Sequence, residues 1–274
     1  MTGRVRLAGL DFDLLTQAQL LDQVTAAIAR GDGGSIVTPN IDICRQARRD
    51  QASRGLVAGA SVAVPDGMPL LWAARLAGRP LAERVTGADL IFSLAEAAAA
   101  NAWPICVLGG QPGSDGAPGT AELAGRRLAG RYPGIDIAGT YSPPANFDAR
   151  AGDIEAVRSA LLRSRPKVVF VGLGFPKQEQ LIARLRPDLP DAWFVGCGAA
   201  VSFAAGIVRR APRAVQRAGL EWAYRLLSEP RRLARRYLVD DLPFAIGLLA
   251  VSAWQRRAAH RMRAGASSGP GRAS

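Results

Sequence analysis

Six short apolar runs, each closed by Gly, Pro or a polar residue, recur between Gly34 and Val195 of this chain, with stretches of helical spacing between them. They are Gly34-Ser-Ile-Val37, Ser61-Val-Ala-Val64, Ile105-Cys-Val-Leu108, Ile135-Asp-Ile-Ala138, Lys167-Val-Val-Phe-Val171 and Ala192-Trp-Phe-Val195. Most lack the polar and apolar alternation of a half-solvated strand, so they suit strands buried on both faces, and such strands must be joined by crossovers. The helical patterns from Asn40 to Ala47, up to Asn101, around Ala121 to Leu128 and from Ile154 to Leu162 supply those crossovers. A mostly parallel α/β sheet covered by helices follows. Ahead of it, Val5 to Leu10 reads as a first strand and Thr16 to Ala29 as a first helix, with Leu20, Leu21, Val24 and Ile28 on one face.

The architecture is Rossmann-like without the dinucleotide fingerprint, because Lys177 and Val201 stand where Gly172-Leu-Gly174 and Gly196-Cys-Gly198 would need a third glycine. In such sheets ligands bind outside the carboxyl ends of the strands. Asp66, set by Pro65 and Gly67 at the end of the second run, is the candidate for chemistry there; a turn or N-cap aspartate is the alternative. Thr38 and Asn40 close the neighbouring run and face the same crevice, or serve as turn and cap residues. Gly109 and Gly110 form a strand–glycine–helix turn suited to phosphate, although glycines also sit there merely to turn. Gln178, in the polar stretch after Val171, joins the substrate-binding candidates. Arg84 is either half of a solvated pair with Glu83 or a substrate contact.

The sole histidine, His260, lies in a basic tail, which leaves no Ser-His-Asp triad, Cys-His pair or histidine metal site. Any general base is then a carboxylate. Asp11-Phe12-Asp13 has the DxD spacing of a metal site but reads as a turn and N-cap ahead of Thr16, so neither metal nor cofactor is expected. Cys44, Cys106 and Cys197 are far apart and form no CxxC pair, as expected of buried thiols in a reducing compartment. With no apolar stretch near Arg4 and Arg6, a secretory signal is not expected, and the cytoplasm is.

Charge is unevenly placed. Residues 1–204 carry 21 Lys+Arg against 19 Asp+Glu, and residues 205–274 carry 14 against 4. The expected organisation is an α/β body over 1–204, a basic helical appendage over 205–263 and a disordered tail over 264–274. Arg225, Arg232 and Arg235 would lie along one helical stripe if Pro230 merely starts a new turn. Leu242 to Trp254 is the longest apolar run; at 1.5 Å per residue it reaches about 20 Å, short of the roughly 30 Å hydrocarbon core, and suits packing on the body or lying in a lipid interface.

Together, Thr38-Pro-Asn40, Pro65-Asp66-Gly67, Glu83-Arg-Val-Thr-Gly87 with Asp89-Leu90, Gly172-Leu-Gly-Phe-Pro-Lys-Gln-Glu179, Arg210-Ala-Pro212 and Gly219-Leu-Glu-Trp222 resemble the WecG/TagA/CpsF family of bacterial glycosyltransferases over roughly residues 5–240. The resemblance implies a membrane-associated enzyme that moves a sugar, with inversion, from a UDP-sugar to a polyprenyl-diphosphate-linked sugar at the anionic inner leaflet. It also implies Asp66 as base, Thr38 as a substrate-positioning residue and a basic appendage that completes the site. One departure is that Val201-Ser202 stands where the family often has Phe-Asp, which bears on donor choice. The competing expectation is a non-enzymatic module whose arginines bind nucleic acid or another polyanion; the crowding of motifs at the strand ends argues against it. Whether the chain forms a homo-oligomer is left open.

Overall fold

The structure, a computed structural model, describes residues 3–144, 146–147 and 153–267. It opens with β1 (Arg4–Leu7) and β2 (Leu10–Asp13), an antiparallel hairpin outside the main sheet, where a single strand was expected. Ala8 and Gly9, at φ 52° and 85°, form the two-residue turn whose left-handed geometry matches hairpin twist. Asp11 to Asp13 are therefore strand residues, not a turn and cap. Asp13 is buried, bound to Arg4 Nε at 2.8 Å and accepting the Ala63 N–H at 2.9 Å, so it fastens the hairpin to the sheet.

Next come α1 (Gln17–Ala29), β3 (Gly34–Val37), α2 (Ile41–Arg49), α3 (Gln51–Ala58), β4 (Val62–Ala63), α4 (Met68–Leu76), α5 (Gly87–Asn101) and β5 (Pro104–Gly109). They are followed by α6 (Thr120–Arg131), β6 (Asp136–Tyr141), α7 (Asp153–Ser164), β7 (Val168–Gly172), α8 (Lys177–Leu185), β8 (Trp193–Gly196) and α9 (Ala200–Ala204). Thr16 caps α1 through a capping box with Gln19. The helix α3 was not anticipated; Asp50, accepting from the Ala52 and Ser53 N–H groups, starts it one residue beyond α2.

All six main strands are parallel, in the order β4-β3-β8-β7-β5-β6. Strand side chains alternate between faces. Ile36, Val168, Phe170 and Val195 pack under α1, α5, α6 and α9, whereas Val169, Val171 and Phe194 pack under α7 and α8. Over the β3–β4 end, Val37 and Ala63 meet the hairpin, α2 and α4. Each fully buried large side chain such as Phe170 or Leu94 contributes about 1.5–3 kcal/mol.

The basic end is helical: α10 (Arg213–Arg217), α11 (Glu221–Ser228), α12 (Pro230–Ala234), a π-helical segment Arg235–Asp241, and α13 (Leu242–Ser267). Two expectations change here. Glu229, at φ −135° and ψ 56°, breaks the helix because the residue before a proline is disfavoured in the helical region, so the single helix on which Arg225, Arg232 and Arg235 were expected to form one stripe is divided into α11 and α12. The apolar run is also not a 13-residue unit: the helix over Arg235–Ala258 has 24 residues and contains an 18-residue window of mean hydropathy 1.4, long and apolar enough by length and composition alone to cross a membrane. Pro243 does not end it, since the wider π-turn just before accommodates the missing donor. One face of α13 packs on α4, with Ala245 and Leu248 in the cluster that contains Leu70, Leu71 and Ala74. The helix continues through Ser267, past the expected start of a tail, and residues 268–274 lie outside the described residues.

Charge pairs also hold the π-segment to α2. Arg45 Nε reaches Asp241 at 3.2 Å and Arg236 Nη2 reaches Asp42 at 3.0 Å. The three cysteines are buried thiols, as expected.

Candidate active site

The register Ile36↔Val62 and Val37↔Ala63 sets the ends of β3 and β4 side by side. The Asp66 N–H donates to the Pro39 carbonyl at 2.9 Å, and the Val85 N–H donates to the Pro65 carbonyl at 3.0 Å, joining three turns at one rim. Gly67, at φ 131°, turns the chain into α4 in a conformation side chains rarely adopt. Gly67 is also the N-cap of α4, which has no side-chain cap bond, so Asp66 is not used as a cap.

The Asp66 carboxyl is pushed up from 3.8 to about 7, first by burial and further by Glu221, against the pull of Arg84, Arg225 and Arg210. One carboxyl thus faces three guanidiniums and titrates near neutrality, where a general base works best. Arg84 comes from the loop ahead of α5, and its Nη1 meets Glu221 at 3.1 Å; the solvated Glu83–Arg84 pair is not formed, since Glu83 instead accepts from the Gln17 N–H. Arg210 is held on two sides, by Asp89 (Nη2 to Oδ2 3.0 Å) and by Glu221 (Nε to Oε1 3.2 Å). Asp89 and Glu221 raise the Arg210 pKa despite burial, and against its own burial Asp89 is held below the usual carboxylate range by Arg210 and the Thr86 hydroxyl. Arg225 lies over the Phe203 ring at 5.7 Å, and its buried Nε has no hydrogen-bond partner among the described residues.

Thr38 is buried beside Asp66's turn, and Asn40 caps α2, its Oδ1 accepting from the Ile43 N–H at 3.0 Å. That cap leaves the two N–H donors of the Asn40 amide. Gly109 and Gly110, at φ 128° and 76°, bring the ends of β5 and β7 together: the Gly110 N–H donates to the Gly172 carbonyl at 3.1 Å, and a Cβ on Gly109 would stand 2.3 Å from that oxygen. They lie on the same rim as Asp66 but four strand spacings away, about 19 Å. Arg235 is exposed and not gathered with Asp66; the Arg232 side chain lies outside the described residues.

Gln178 is placed as a brace. Its Oε1 accepts from the N–H groups of Gly174 (3.1 Å) and Gly198 (3.0 Å), and its Nε2 donates to Glu179 at 2.8 Å. Gln178→Ala should therefore lower stability by about 1–3 kcal/mol through the amides it orphans, measured by denaturant unfolding; an unchanged midpoint would mean the turns hold without it. Val201 is fully buried against Gly172. Sequence reasoning assigned no role to Asp89, Arg210 or Glu221. The signals available were their places in the motifs Asp89-Leu90, Arg210-Ala-Pro212 and Gly219-Leu-Glu-Trp222, and Glu221 as the first acidic residue in the basic end.

Among the described residues, no group of three or more His, Cys, Asp or Glu stands close enough to hold a metal ion. Comparison with known proteins adds the decisive observation: the model of the glycosyl transferase WecG/TagA/CpsF family matches residues 5–259. The chain belongs to this family. An N-acetylglucosaminyldiphosphoundecaprenol N-acetyl-beta-D-mannosaminyltransferase of Bacillus spizizenii strain W23 is 33% identical over 222 residues, 81% of this chain and 82% of the relative. A protein of the same name from Staphylococcus aureus strain MW2 is 30% identical over 236 residues, 85% and 88% of the two chains. As a WecG/TagA/CpsF protein the chain is a glycosyltransferase, and the non-enzymatic polyanion-binding alternative falls away.

Proposed function

We propose that this glycosyltransferase moves a sugar from a UDP-sugar to a polyprenyl-diphosphate-linked sugar, inverting the anomeric centre, in the assembly of a cell-surface polysaccharide. The observation that carries the reading is Asp66, a carboxyl titrating at about 7 at a strand end, with Arg84, Arg210 and Arg225 around it. Asp66 takes the proton from the acceptor hydroxyl as that oxygen attacks the anomeric carbon, and the diphosphate leaves from the opposite face. Arg225, whose Nε lacks a partner among the described residues, receives the charge that develops on the leaving group. Thr38 and the Asn40 amide position the sugar. Gly109 and Gly110, about 19 Å along the rim, belong to the far end of an extended nucleotide rather than to the reacting centre.

The relatives' names support N-acetylmannosamine as the sugar and an N-acetylglucosaminyl-diphosphoundecaprenol acceptor. Buried Val201 in place of the family's Phe leaves a glucose-type donor as the runner-up. The test is transfer by the purified full-length chain from UDP-N-acetylmannosamine and UDP-glucose to a short-chain polyprenyl-diphosphate N-acetylglucosamine, read as product mass. Product from the first donor supports the assignment; UDP release without a lipid-linked disaccharide from either donor overturns it.

Membrane attachment at the cytoplasmic inner leaflet is part of the same reading. Trp222, Leu227, Val239, Ile246 and Trp254 are exposed on the C-terminal helices, among arginines such as Arg231 and Arg235. Each arginine near an anionic surface contributes about 1 kcal/mol within a Debye length of about 8 Å. Binding to phosphatidylglycerol vesicles should weaken by at least tenfold between 50 mM and 500 mM salt and be weak on neutral vesicles. Equal binding to both vesicle types would assign attachment to the apolar side chains alone.

A further inference from the structure

Glu221 is the acidic side chain that the C-terminal helices insert among the guanidiniums of the site. Its two oxygens hold different partners, Oε1 accepting from Arg210 Nε at 3.2 Å and Oε2 from Arg84 Nη1 at 3.1 Å. Arg210 is anchored in turn by Asp89 and by Thr86 Oγ1 (3.3 Å), while the Thr86 hydroxyl donates to Asp89 at 2.6 Å. Arg84, Glu221 and Arg210 have side chains only 14–17% exposed. This is unlike a solvated ion pair, which contributes little and whose loss is easily absorbed. The network links the loop ahead of α5, the first turn of α5, the link ahead of α10 and the first turn of α11. Arg225 follows Glu221 by four residues, one turn along the same face of α11.

We propose that Glu221 is a positioning residue for sugar transfer: by bridging Arg84 and Arg210 it seats α11 on the rim of the sheet and so delivers Arg225 to Asp66. Its activity arm rests on the transfer reading above; its structural arm does not. The charged groups facing Asp66 are Arg84 from the loop ahead of α5, Arg210 from the link ahead of α10, and Glu221 and Arg225 from α11. With Glu221 neutral the anion that raises the Asp66 pKa is gone; its influence is larger than that of Arg225, and Arg84 and Arg210 do not belong to α11, so Asp66 must release its proton at lower pH even when α11 unseats and Arg225 withdraws.

The experiment compares full-length wild type, Glu221→Gln and Glu221→Asp. The first readout needs no substrate: the Asp66 carboxyl is titrated by carbon-13 NMR, assigned by its absence from Asp66→Asn. Glu221→Gln should move the midpoint down by about one pH unit, while Glu221→Asp keeps the charge and a near-wild-type midpoint. The second readout is transfer at pH 8, where kcat of Glu221→Gln should fall roughly ten- to a hundredfold while donor KM changes little, with partial recovery in Glu221→Asp. An unmoved Asp66 midpoint together with wild-type kcat in Glu221→Gln overturns the proposal. Should Glu221→Gln not fold, Glu221→Asp decides: losing one of the two bridges through its shorter side chain while keeping full kcat overturns it equally. A shifted midpoint in Glu221→Gln, with no sugar transferred even by the wild type, would sink the transfer reading and leave the Glu221 bridge standing.

Discussion

Asp66→Asn should reduce transfer by roughly 10²- to 10⁴-fold, the usual cost of losing a general base, with the chain folded. The expected change in stability is opposite in sign. Asp66 in the folded protein holds its proton up to about 7, well above the 3.8 of an ordinary aspartate. The folded state therefore binds more protons than the unfolded one between those values, and stability present below pH 4 is lost as pH rises through 7. Asparagine cannot ionise and escapes that loss, so the variant should melt at or above the wild-type temperature at pH 8. In the wild type, kcat/KM should fall on the acid side of a limb near pH 7, as the base takes up its proton. A variant that loses activity together with a lowered melting temperature would instead mark Asp66 as structural.

Arg225→Ala has the second largest expected effect. Removing one preorganised donor from developing negative charge costs about 10²- to 10³-fold in kcat. Among the described residues the side chain's only cation–π contact is with Phe203, and its buried Nε has no hydrogen-bond partner there. Few native groups are left so, and an anion arriving from the substrate is a reason for it. Arg225→Lys should recover only part of the rate, because an ammonium lacks the planar fork that meets two phosphate oxygens. Single substitutions are the appropriate probes here. Cutting the chain before Arg209 would also strip Ala245 and Leu248 from the cluster they share with Leu70, Leu71 and Ala74, exposing apolar surface on α4.

The parallel sheet was legible because buried parallel strands write themselves as unbroken apolar runs, and the rim position of Asp66 followed from Pro65 and Gly67 at the end of one of them. The hairpin was not, since Ala8-Gly9 is a weak turn signal and Val5 to Leu10 reads equally as one strand; its tertiary consequence, Asp13 holding the Ala63 N–H, spans 50 residues. The partners of the arginines were hidden for the same reason. Arg84 and Glu221 are 137 positions apart, and Arg210 and Asp89 are 121 apart. Charge counting sees a basic end facing outward, whereas the structure turns Arg210, Glu221 and Arg225 inward toward one carboxyl. Gln178 looked like a ligand contact because it is polar at a strand end, yet its length lets it reach back to two glycine N–H groups.

The claim at the centre of this account is that a single carboxyl drives displacement at the anomeric carbon without a covalent sugar–enzyme intermediate. The direct measurement is the anomeric configuration of the lipid-linked product, by proton NMR, after transfer from an α-linked UDP-sugar. A β-linked product is expected; an α-linked product would mean retention, by two displacements or by attack on the face the diphosphate leaves, and contradict the role given to Asp66.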